Sequence, residues 1–176
     1  MKKLTRDEFA HRLKTIKLLA IDVDGVLTDD SLWFGPNGFE LKRFNISDGF
    51  YMVLAMRYGL ELAIVSGRYS AATDSRMKDL GVKHVLQARK DKVEMLRPLL
   101  EELKLTFSDV AFIGNEILDL KLARQAGLSI AVADAAQALL DEVNYITVRK
   151  GGQGAVREVI EVYFEAVGFD PRTLVA

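Results

Sequence analysis

The fold is decided by the stretch Leu18-Leu19-Ala20-Ile21-Asp22-Val23-Asp24-Gly25, an apolar run that ends in two acidic residues at alternate positions. An unbroken apolar run of this length predicts a buried β-strand. Two carboxylates at the exit of such a strand need a metal ion, a proton relay or water to keep their charges apart. The stretch therefore predicts a functional site at the end of a core strand.

The composition fits one globular domain of 176 residues, because 49% of them are hydrophobic and a chain of this size buries a substantial core. The 24 Lys and Arg residues nearly balance the 25 Asp and Glu residues, for a formal net charge of -1. No nucleic-acid surface is therefore indicated. The chain has no Cys, which excludes disulfides and a Cys nucleophile, and His11 and His84 are too scattered for a zinc centre.

The N-terminal residues lack the apolar segment of a signal peptide, and no apolar run approaches the ~18 residues of a membrane span. We therefore expect a cytoplasmic protein with no membrane partner and no nucleic-acid partner.

Strand and helix patterns alternate along the chain. Strands are predicted at residues 17–23, 61–65, 84–87, 110–113, 128–132 and 145–148. A capping box at Thr5 and Glu8 predicts a first helix that reaches about Lys14. Further helices are predicted at residues 49–58, 70–80, 91–103, 117–126, 135–141 and 155–166. This alternation predicts an α/β fold, a doubly wound, mostly parallel, Rossmann-like sheet with helices on both faces.

Three local features refine this prediction. Residues 31–34 and 39–44 flank Gly35-Pro36-Asn37-Gly38 and are predicted to form a β-hairpin excursion. Asp48 is predicted to cap the helix that follows it. Pro98 is predicted to kink or split the helix at residues 91–103, because proline removes an N–H donor. These elements already fill the chain, so we expect no cap domain.

Polar residues follow successive strands of the predicted sheet. They are Asp22 and Asp24, then Ser66, Gly67 and Arg68, then Lys92, and finally Asn115, Glu116 and Asp119. Each group alone is better explained as a turn, a helix-entry loop, a solvated lysine or first-turn residues favoured by the helix dipole. Because the carboxyl ends of parallel strands meet at one edge, we expect the groups to converge. Their joint order favours a functional site.

The combination resembles the haloacid dehalogenase phosphohydrolase superfamily, whose four motifs are matched by residues 22–26, Ser66, Lys92 and residues 114–119. More closely, residues 22–29, 44–49, 65–68 and 151–158, together with Arg76, look like phosphatases of sugar-acid phosphates within that superfamily. The resemblance covers about residues 17–166. It implies a magnesium-dependent phosphatase that acts on a small sugar-acid phosphate through an aspartyl-phosphate intermediate.

The resemblance also implies a role for each catalytic residue. Asp22 would attack phosphorus as the nucleophile, and Asp24 would act as the general acid and then the general base. Ser66 and Lys92 would hold the phosphoryl oxygens, and Lys92 would also counter the charge of Asp22.

Ligand-binding residues follow from the same resemblance. The implied Mg²⁺ ligands are Asp22, the backbone carbonyl of Asp24 and Asn115, with Glu116 or Asp119 as alternatives. The implied substrate-binding residues are Ser66, Gly67, Arg68 and Arg76. The two guanidinium groups are candidates for the carboxylate of the sugar acid, because their fork matches that geometry.

The fourth motif departs from the pattern, because phosphatases of the superfamily usually have Gly-Asp-Asp where this chain has Gly114-Asn115-Glu116. An amide oxygen can bind Mg²⁺ but carries no negative charge, so a lower metal affinity is expected. The carboxy-terminal modules of cytidylyl-sialate synthetases resemble this chain at the motif, which leaves open a catalytically weak, oligomerising role. A phosphoryl-accepting receiver domain is a third alternative, disfavoured because no Asp ends the strand at residues 61–65.

Assembly into a homotetramer is also implied by the resemblance, with the hairpin at the interface and the segment after Gly151 reaching a neighbouring site. Trp33, Phe34 and Phe39 give modest independent support, because a two-stranded hairpin cannot bury them alone. The alternative is that these rings pack onto the helices of their own chain.

Overall fold

Helices and strands alternate along the chain in a computed structural model that describes residues 2–174. The strands are β1 (Leu18–Ile21), β2 (Trp33–Phe34), β3 (Glu40–Leu41), β4 (Glu61–Val65), β5 (His84–Leu86), β6 (Val110–Gly114), β7 (Leu128–Ala131) and β8 (Tyr145–Ile146). The helices are α1 (Arg6–Leu13), α2 (Ile46–Tyr58), α3 (Ala71–Leu80), α4 (Lys92–Leu103), α5 (Leu120–Gln125), α6 (Gln137–Leu140) and α7 (Ala155–Val167). Among residues 2–174, no helix has both the length and the apolar character needed to cross a bilayer.

Six strands form one parallel sheet in the order β5-β4-β1-β6-β7-β8. Strand β1 lies between β4 and β6, where Leu18 is paired with Glu61 on one side and with Val110 on the other. Every side chain of β1 is buried, which explains why its sequence is apolar without alternation. The predicted doubly wound parallel sheet is confirmed, and its order reverses at β1. The carboxyl end of β1 is therefore the place where such folds form a ligand crevice.

The predicted hairpin is formed by β2 and β3, which pair antiparallel with Trp33 opposite Leu41. A short 3-10 turn at Pro36–Gly38 joins the two strands. The rings of Trp33, Phe34 and Phe39 are all more than half exposed. The alternative that these rings pack onto helices of their own chain is therefore wrong.

The helix α2 begins earlier than predicted, and Asp48 is not its cap. Asn45 is the N-cap, because its side chain accepts hydrogen bonds from the N–H groups of Ser47 and Asp48. Asp48 lies inside the first turn of α2, where it is fully buried. Its Oδ1 accepts the N–H of Arg157 at 2.7 Å, so Asp48 caps the start of α7 instead. Burial raises the pKa of Asp48 because the charged form loses its hydration.

Proline 98 does not split α4, which runs unbroken from Lys92 to Leu103. Because proline has no N–H, the carbonyl of Glu94 lacks its usual helical partner. That carbonyl instead accepts a hydrogen bond from Arg89 Nη1 at 3.5 Å. The prediction of a split helix is wrong, since a side chain outside the helix partly compensates for the missing donor.

Residues 151–167 pack against the core of their own chain. The N–H of Gly152 donates to the carbonyl of Val26 at 2.9 Å, so this loop covers the turn that follows β1. Beyond the loop, α7 packs against α2 and α1, and its apolar face includes Val159, Ile160 and Phe164. Whether this segment also reaches a neighbouring site stays a prediction.

Candidate active site

The first acid, Asp22, directly follows β1. Its N–H donates to the carbonyl of Ile113 in β6 at 3.0 Å, so the neighbouring strand holds the backbone at this position. The residue is 6% exposed, and burial raises the pKa of Asp22 to about 7 because the charged form loses its hydration. The charge of Lys92 opposes this rise, and the charge of Asp119 adds to it. Asp22 therefore depends on a nearby cation to be ionised at neutral pH.

Lys92 supplies that positive charge at the first position of α4, next to the N-cap Asp91. Its Nζ lies 2.8 Å from Asp22 Oδ1 and 2.5 Å from Asp119 Oδ1. Burial alone would lower the pKa of Lys92, but the charges of the two carboxylates outweigh it and raise that pKa above its ordinary value. Lys92 is therefore protonated and binds both acids at once.

Asp119 positions Lys92 and the loop after β6. Its Oδ2 accepts the N–H of Asn115 at 2.8 Å and the N–H of Glu116 at 3.0 Å. A 3-10 turn at Ile117–Asp119 brings the side chain back over this loop, whereas the sequence predicted an α-helix from residue 117. Both oxygens of Asp119 are thus engaged by protein donors.

Asn115 is a nearly buried amide that lines the same cleft. Its side chain makes no hydrogen bond within residues 2–174. It lies against Gly25, whose φ of +77° favours glycine, and a Cβ on Gly25 would collide with the amide. The turn after β1 and the loop after β6 therefore meet at this amide.

The predicted Mg²⁺ ligands offer oxygen atoms of the kind that suit a hard cation. They are a carboxylate of Asp22, the backbone carbonyl of Asp24 and the amide of Asn115, and all three residues line this cleft. In the described part of the chain, no group of three or more His, Cys, Asp or Glu side chains is arranged to hold a metal. A cation site here would therefore use one carboxylate with neutral oxygens.

The loop after β4 contributes Ser66, Gly67 and Arg68. Ser66 Oγ donates to the carbonyl of Arg68 at 2.9 Å and accepts the Arg68 N–H at 3.3 Å, which closes a tight turn. The guanidinium of Arg68 contacts Glu40 and lies 3.4 Å from Asp24 Oδ2. The hydrogen bond to Glu40 raises the pKa of Arg68. The turn thus directs a charged guanidinium toward the second acid.

Two further residues of the site, Glu40 and Lys42, were not predicted from the sequence. The side chain of Lys42 is 1% exposed and contacts Asp24, and its Nζ lies 4.0 Å from Glu40 Oε1. Glu40 also accepts a hydrogen bond from Ser70 Oγ at 2.6 Å. The hairpin therefore reaches into the site of its own chain.

The alternation of apolar and charged residues at positions 39–42 indicates that one face of the hairpin carries charged side chains. Phe39 and Leu41 are half exposed or more, while Glu40 and Lys42, two positions apart, point to the protein as alternate residues of an extended chain do. This orientation is the reverse of the usual one, in which the apolar residues face the core, so the sequence alone did not predict it.

The side chains at the strand ends surround one cleft of about 350 Å³ at the carboxyl end of β1, whereas Lys42 and Glu40 contact Asp24 and Arg68 without lining it. Its lining residues are Asp22, Asp24, Asp30, Ser66, Gly67, Arg68, Lys90, Lys92, Asn115, Glu116, Leu118 and Asp119. Every group predicted from the strand ends is present. Arg76 does not line this cleft, because it lies on α3 beside the hairpin and against Gly49. Asp30, Lys90 and Leu118 were not predicted, since nothing in a single sequence distinguishes them from other loop residues.

Comparison with known proteins agrees with this arrangement. Residues 84–160 match the haloacid dehalogenase-like hydrolases. The 3-deoxy-D-manno-octulosonate 8-phosphate phosphatase of Escherichia coli K12 is 39% identical over 157 residues, which cover 89% of this chain and 84% of that protein. The chain belongs to the haloacid dehalogenase-like hydrolase family. The resemblance inferred from the four motifs is thereby confirmed.

Solved structures within this family are similar over nearly the whole chain. The 3-deoxy-D-manno-octulosonate 8-phosphate phosphatase of Moraxella catarrhalis, in complex with magnesium, phosphate and the sugar acid KDO, has a TM-score of 0.90 at 37% identity, covering 96% of this chain and 97% of that one. The cobalt-bound phosphatase of Haemophilus influenzae has a TM-score of 0.85 at 34% identity, covering 89% and 92%. The fold and the order of the elements are therefore those of the family.

Proposed function

We propose that this protein is a magnesium-dependent phosphatase that hydrolyses 3-deoxy-D-manno-octulosonate 8-phosphate or a close sugar-acid phosphate. The observation that carries the proposal is the contact of the buried pair Asp22 and Lys92, 2.8 Å apart, in a cleft beside the unpartnered amide of Asn115. A buried carboxylate held by an ammonium suits a nucleophile for phosphorus. The named relatives of similar length and fold support the substrate class.

In the proposed reaction, a carboxylate oxygen of Asp22 attacks phosphorus and the bond to the sugar oxygen breaks. The product of this step is an aspartyl phosphate, and the first displacement is complete when the sugar leaves. Asp24 donates a proton to the leaving oxygen and later accepts one from the water that attacks the aspartyl phosphate. That attack breaks the bond between phosphorus and Asp22, which releases phosphate and restores the carboxylate. One carboxyl group thus serves both half-reactions.

Lys92 and Ser66 hold the phosphoryl oxygens in this proposal. Lys92 already balances the charge of Asp22, so the approach of a phosphate dianion is less unfavourable. Ser66 Oγ donates to the carbonyl of Arg68 in the structure, and turning its hydroxyl would direct that donor at the phosphate instead.

Mg²⁺ would be held by Asp22, the carbonyl of Asp24 and Asn115. When bound, it would supply positive charge that stabilises the phosphoryl oxygens. Asn115 supplies a neutral ligand where the superfamily usually has Asp, so we expect weaker metal binding than in the Asp-containing relatives.

Arg68 is proposed as the partner of the carboxylate of the sugar acid, with Gly67 giving close access to the cleft. Its guanidinium already contacts Glu40 and Asp24, so a substrate carboxylate would have to approach the remaining N–H groups. Arg76 stays a prediction for the same role, which it would have to perform from outside the cleft of its own chain.

A homotetramer in the cytoplasm completes the proposal. The exposed rings of Trp33, Phe34 and Phe39 support an interface at the hairpin. A monomer in light scattering at micromolar concentration would contradict this part of the proposal.

A second function is favoured by one observation, the replacement of a motif acid by Asn115. With too little charge to bind the metal, the chain would be a catalytically weak assembly module of sugar-acid activation. Phosphate release from a panel of eight- and nine-carbon sugar-acid phosphates, measured with magnesium and with EDTA, separates the two functions. The phosphatase proposal requires release that EDTA abolishes, whereas absence of release from every substrate favours the module.

A further inference from the structure

Lys42 is a buried cation on an otherwise exposed hairpin. Its side chain is 1% exposed, whereas the adjacent residue Leu41 is 50% exposed and the side chain of Arg43 is 67% exposed. Within residues 2–174, its carboxylate partners are Asp24, in direct contact, and Glu40 at 4.0 Å. Taking an ammonium out of water costs several kcal/mol unless a partner compensates. The contact with Asp24 therefore explains why Lys42 is buried.

Lys42 belongs to a closed ring of alternating charges. Asp24 contacts Lys42 through Oδ1 and lies 3.4 Å from Arg68 through Oδ2, and Glu40 contacts Arg68 in turn. Two carboxylates and two cations thus neutralise one another. The ring fixes the Asp24 carboxyl group from two sides, although Asp24 is itself partly exposed and would otherwise have several rotamers available.

We propose, on the basis of the proposed phosphatase function, that Lys42 is a positioning residue that holds Asp24 where it can protonate the leaving oxygen. Lys42 does not line the cleft, so it acts through Asp24 and not on the substrate. Proton transfer requires the donor and acceptor atoms to lie within about 2.6–3.2 Å. Without one of its two cationic contacts, the Asp24 carboxyl group would move out of this distance range. The hairpin is therefore a working part of the active site in its own chain.

The test compares two leaving groups in Lys42→Met. A sugar-acid phosphate leaves as an alkoxide and needs a proton, whereas p-nitrophenyl phosphate leaves as a stabilised phenolate and needs none. The ratio kcat/KM reports the steps up to the first phosphoryl transfer. We expect kcat/KM to fall by about 10²-fold for the sugar-acid phosphate and much less for p-nitrophenyl phosphate. Lys42→Arg, which keeps the charge, should recover most of the loss.

Arg43→Met is the matched control, because Arg43 is the next residue and pairs with Asp29 outside the cleft, at 2.6 Å. It should leave both kcat/KM values unchanged. An equal loss for both substrates in Lys42→Met would indicate general disruption and would overturn the positioning role. An unchanged kcat/KM for the sugar-acid phosphate would overturn it as well.

A structural measurement separates this inference from the proposed function. If the unaltered protein releases phosphate from no monoester, the phosphatase proposal fails, and crystal structures of the unaltered protein and Lys42→Met then decide the positioning role. A displaced Asp24 carboxyl group in the variant supports it. An Asp24 carboxyl group in the same position in both structures overturns it.

Discussion

The two sides of the candidate active site are built from different structural elements, the sheet and the hairpin. On the sheet side, Asp22, Lys92 and Asp119 follow strand ends and helix starts, and all three are nearly or fully buried. On the hairpin side, Glu40 and Lys42 lie on a two-stranded excursion whose apolar residues face solvent. The end of the site that we propose to bind phosphate is therefore held by the core itself. The end that we propose to protonate the leaving group is held by a small element with little packing of its own.

The largest loss of activity is expected when the proposed nucleophile on the sheet side, Asp22, is replaced. Asp22→Asn keeps the shape of the side chain but cannot form an acyl phosphate at a useful rate. We expect phosphate release to fall by at least about 10³-fold, because catalytic residues that act together lose most of their effect when one of them is removed. The measurement is steady-state release of phosphate with saturating magnesium. A variant as active as the parent would refute the assignment of the nucleophile.

Replacement of Lys92 should show how much the stability of the fold depends on its buried ion pairs with Asp22 and Asp119. Lys92→Met leaves the carboxyl groups of Asp22 and Asp119 buried without their cation, and we expect it to lower the free energy of unfolding by about 3–5 kcal/mol. The exposed Lys90 at the mouth of the same cleft is the control, and Lys90→Met should change stability by less than about 0.5 kcal/mol. Urea unfolding measures both. Equal effects would mean that the buried pair does not stabilise the fold.

The stability of the metal-free protein should depend on pH because the pKa of Asp22 is raised. Burial raises the pKa of Asp22 from 3.8 to about 7, so the folded state binds this proton more tightly than the unfolded state. The stability that this contributes is complete below pH 3.8 and is lost as the pH rises to about 7. Asn has no such proton to lose.

In EDTA, the midpoint temperature of Asp22→Asn should therefore exceed that of the parent by at least about 3 °C at pH 8. The difference should shrink toward acidic pH. A constant difference across the range would show that Asp22 keeps an ordinary pKa.

A negative charge at Asn115, a proposed metal ligand, should have a smaller effect, which is limited to Mg²⁺ binding and to the steps that need Mg²⁺. Asn115→Asp restores a carboxylate, and we expect it to tighten Mg²⁺ binding by at least about tenfold. Turnover at low magnesium should rise. Isothermal titration calorimetry of the metal alone measures the first effect, with Asn115→Ala as the variant that should weaken binding. Equal affinities in all three proteins would exclude Asn115 as a ligand.

The hairpin side should contribute least to the stability of one chain. Trp33→Ser removes a ring that is 62% exposed, so the free energy of unfolding of the isolated chain should change by less than about 0.5 kcal/mol. If the proposed tetramer uses this ring, light scattering should nevertheless show a shift toward smaller species. A large loss of stability in a protein that is already monomeric would contradict the exposure of the ring.

Much of the sheet side could be predicted from the sequence. Asp22, Ser66, Lys92 and Asn115 follow consecutive strand patterns, and parallel strands bring their carboxyl ends to one edge. Lys92 was predicted at the helix start, but its simultaneous contact with Asp22 and Asp119 was not, because those distances depend on how α4 packs against β4 and α5. Asp48 was misassigned for a related reason. Its chemistry is that of a helix cap, but the helix that it caps lies 109 positions away in sequence.

The architecture and the residues of the proposed phosphate end could be predicted from the sequence, because hydrophobic periodicity and strand-end residues are local properties. Which charges meet depends on the tertiary structure. Glu40 and Lys42 became part of the site, and Arg76 lies outside the cleft, because the hairpin and α3 are placed by packing between distant segments. Whether a lysine is solvated or buried beside Asp24 depends on those distant neighbours, and no periodicity in its own segment specifies them.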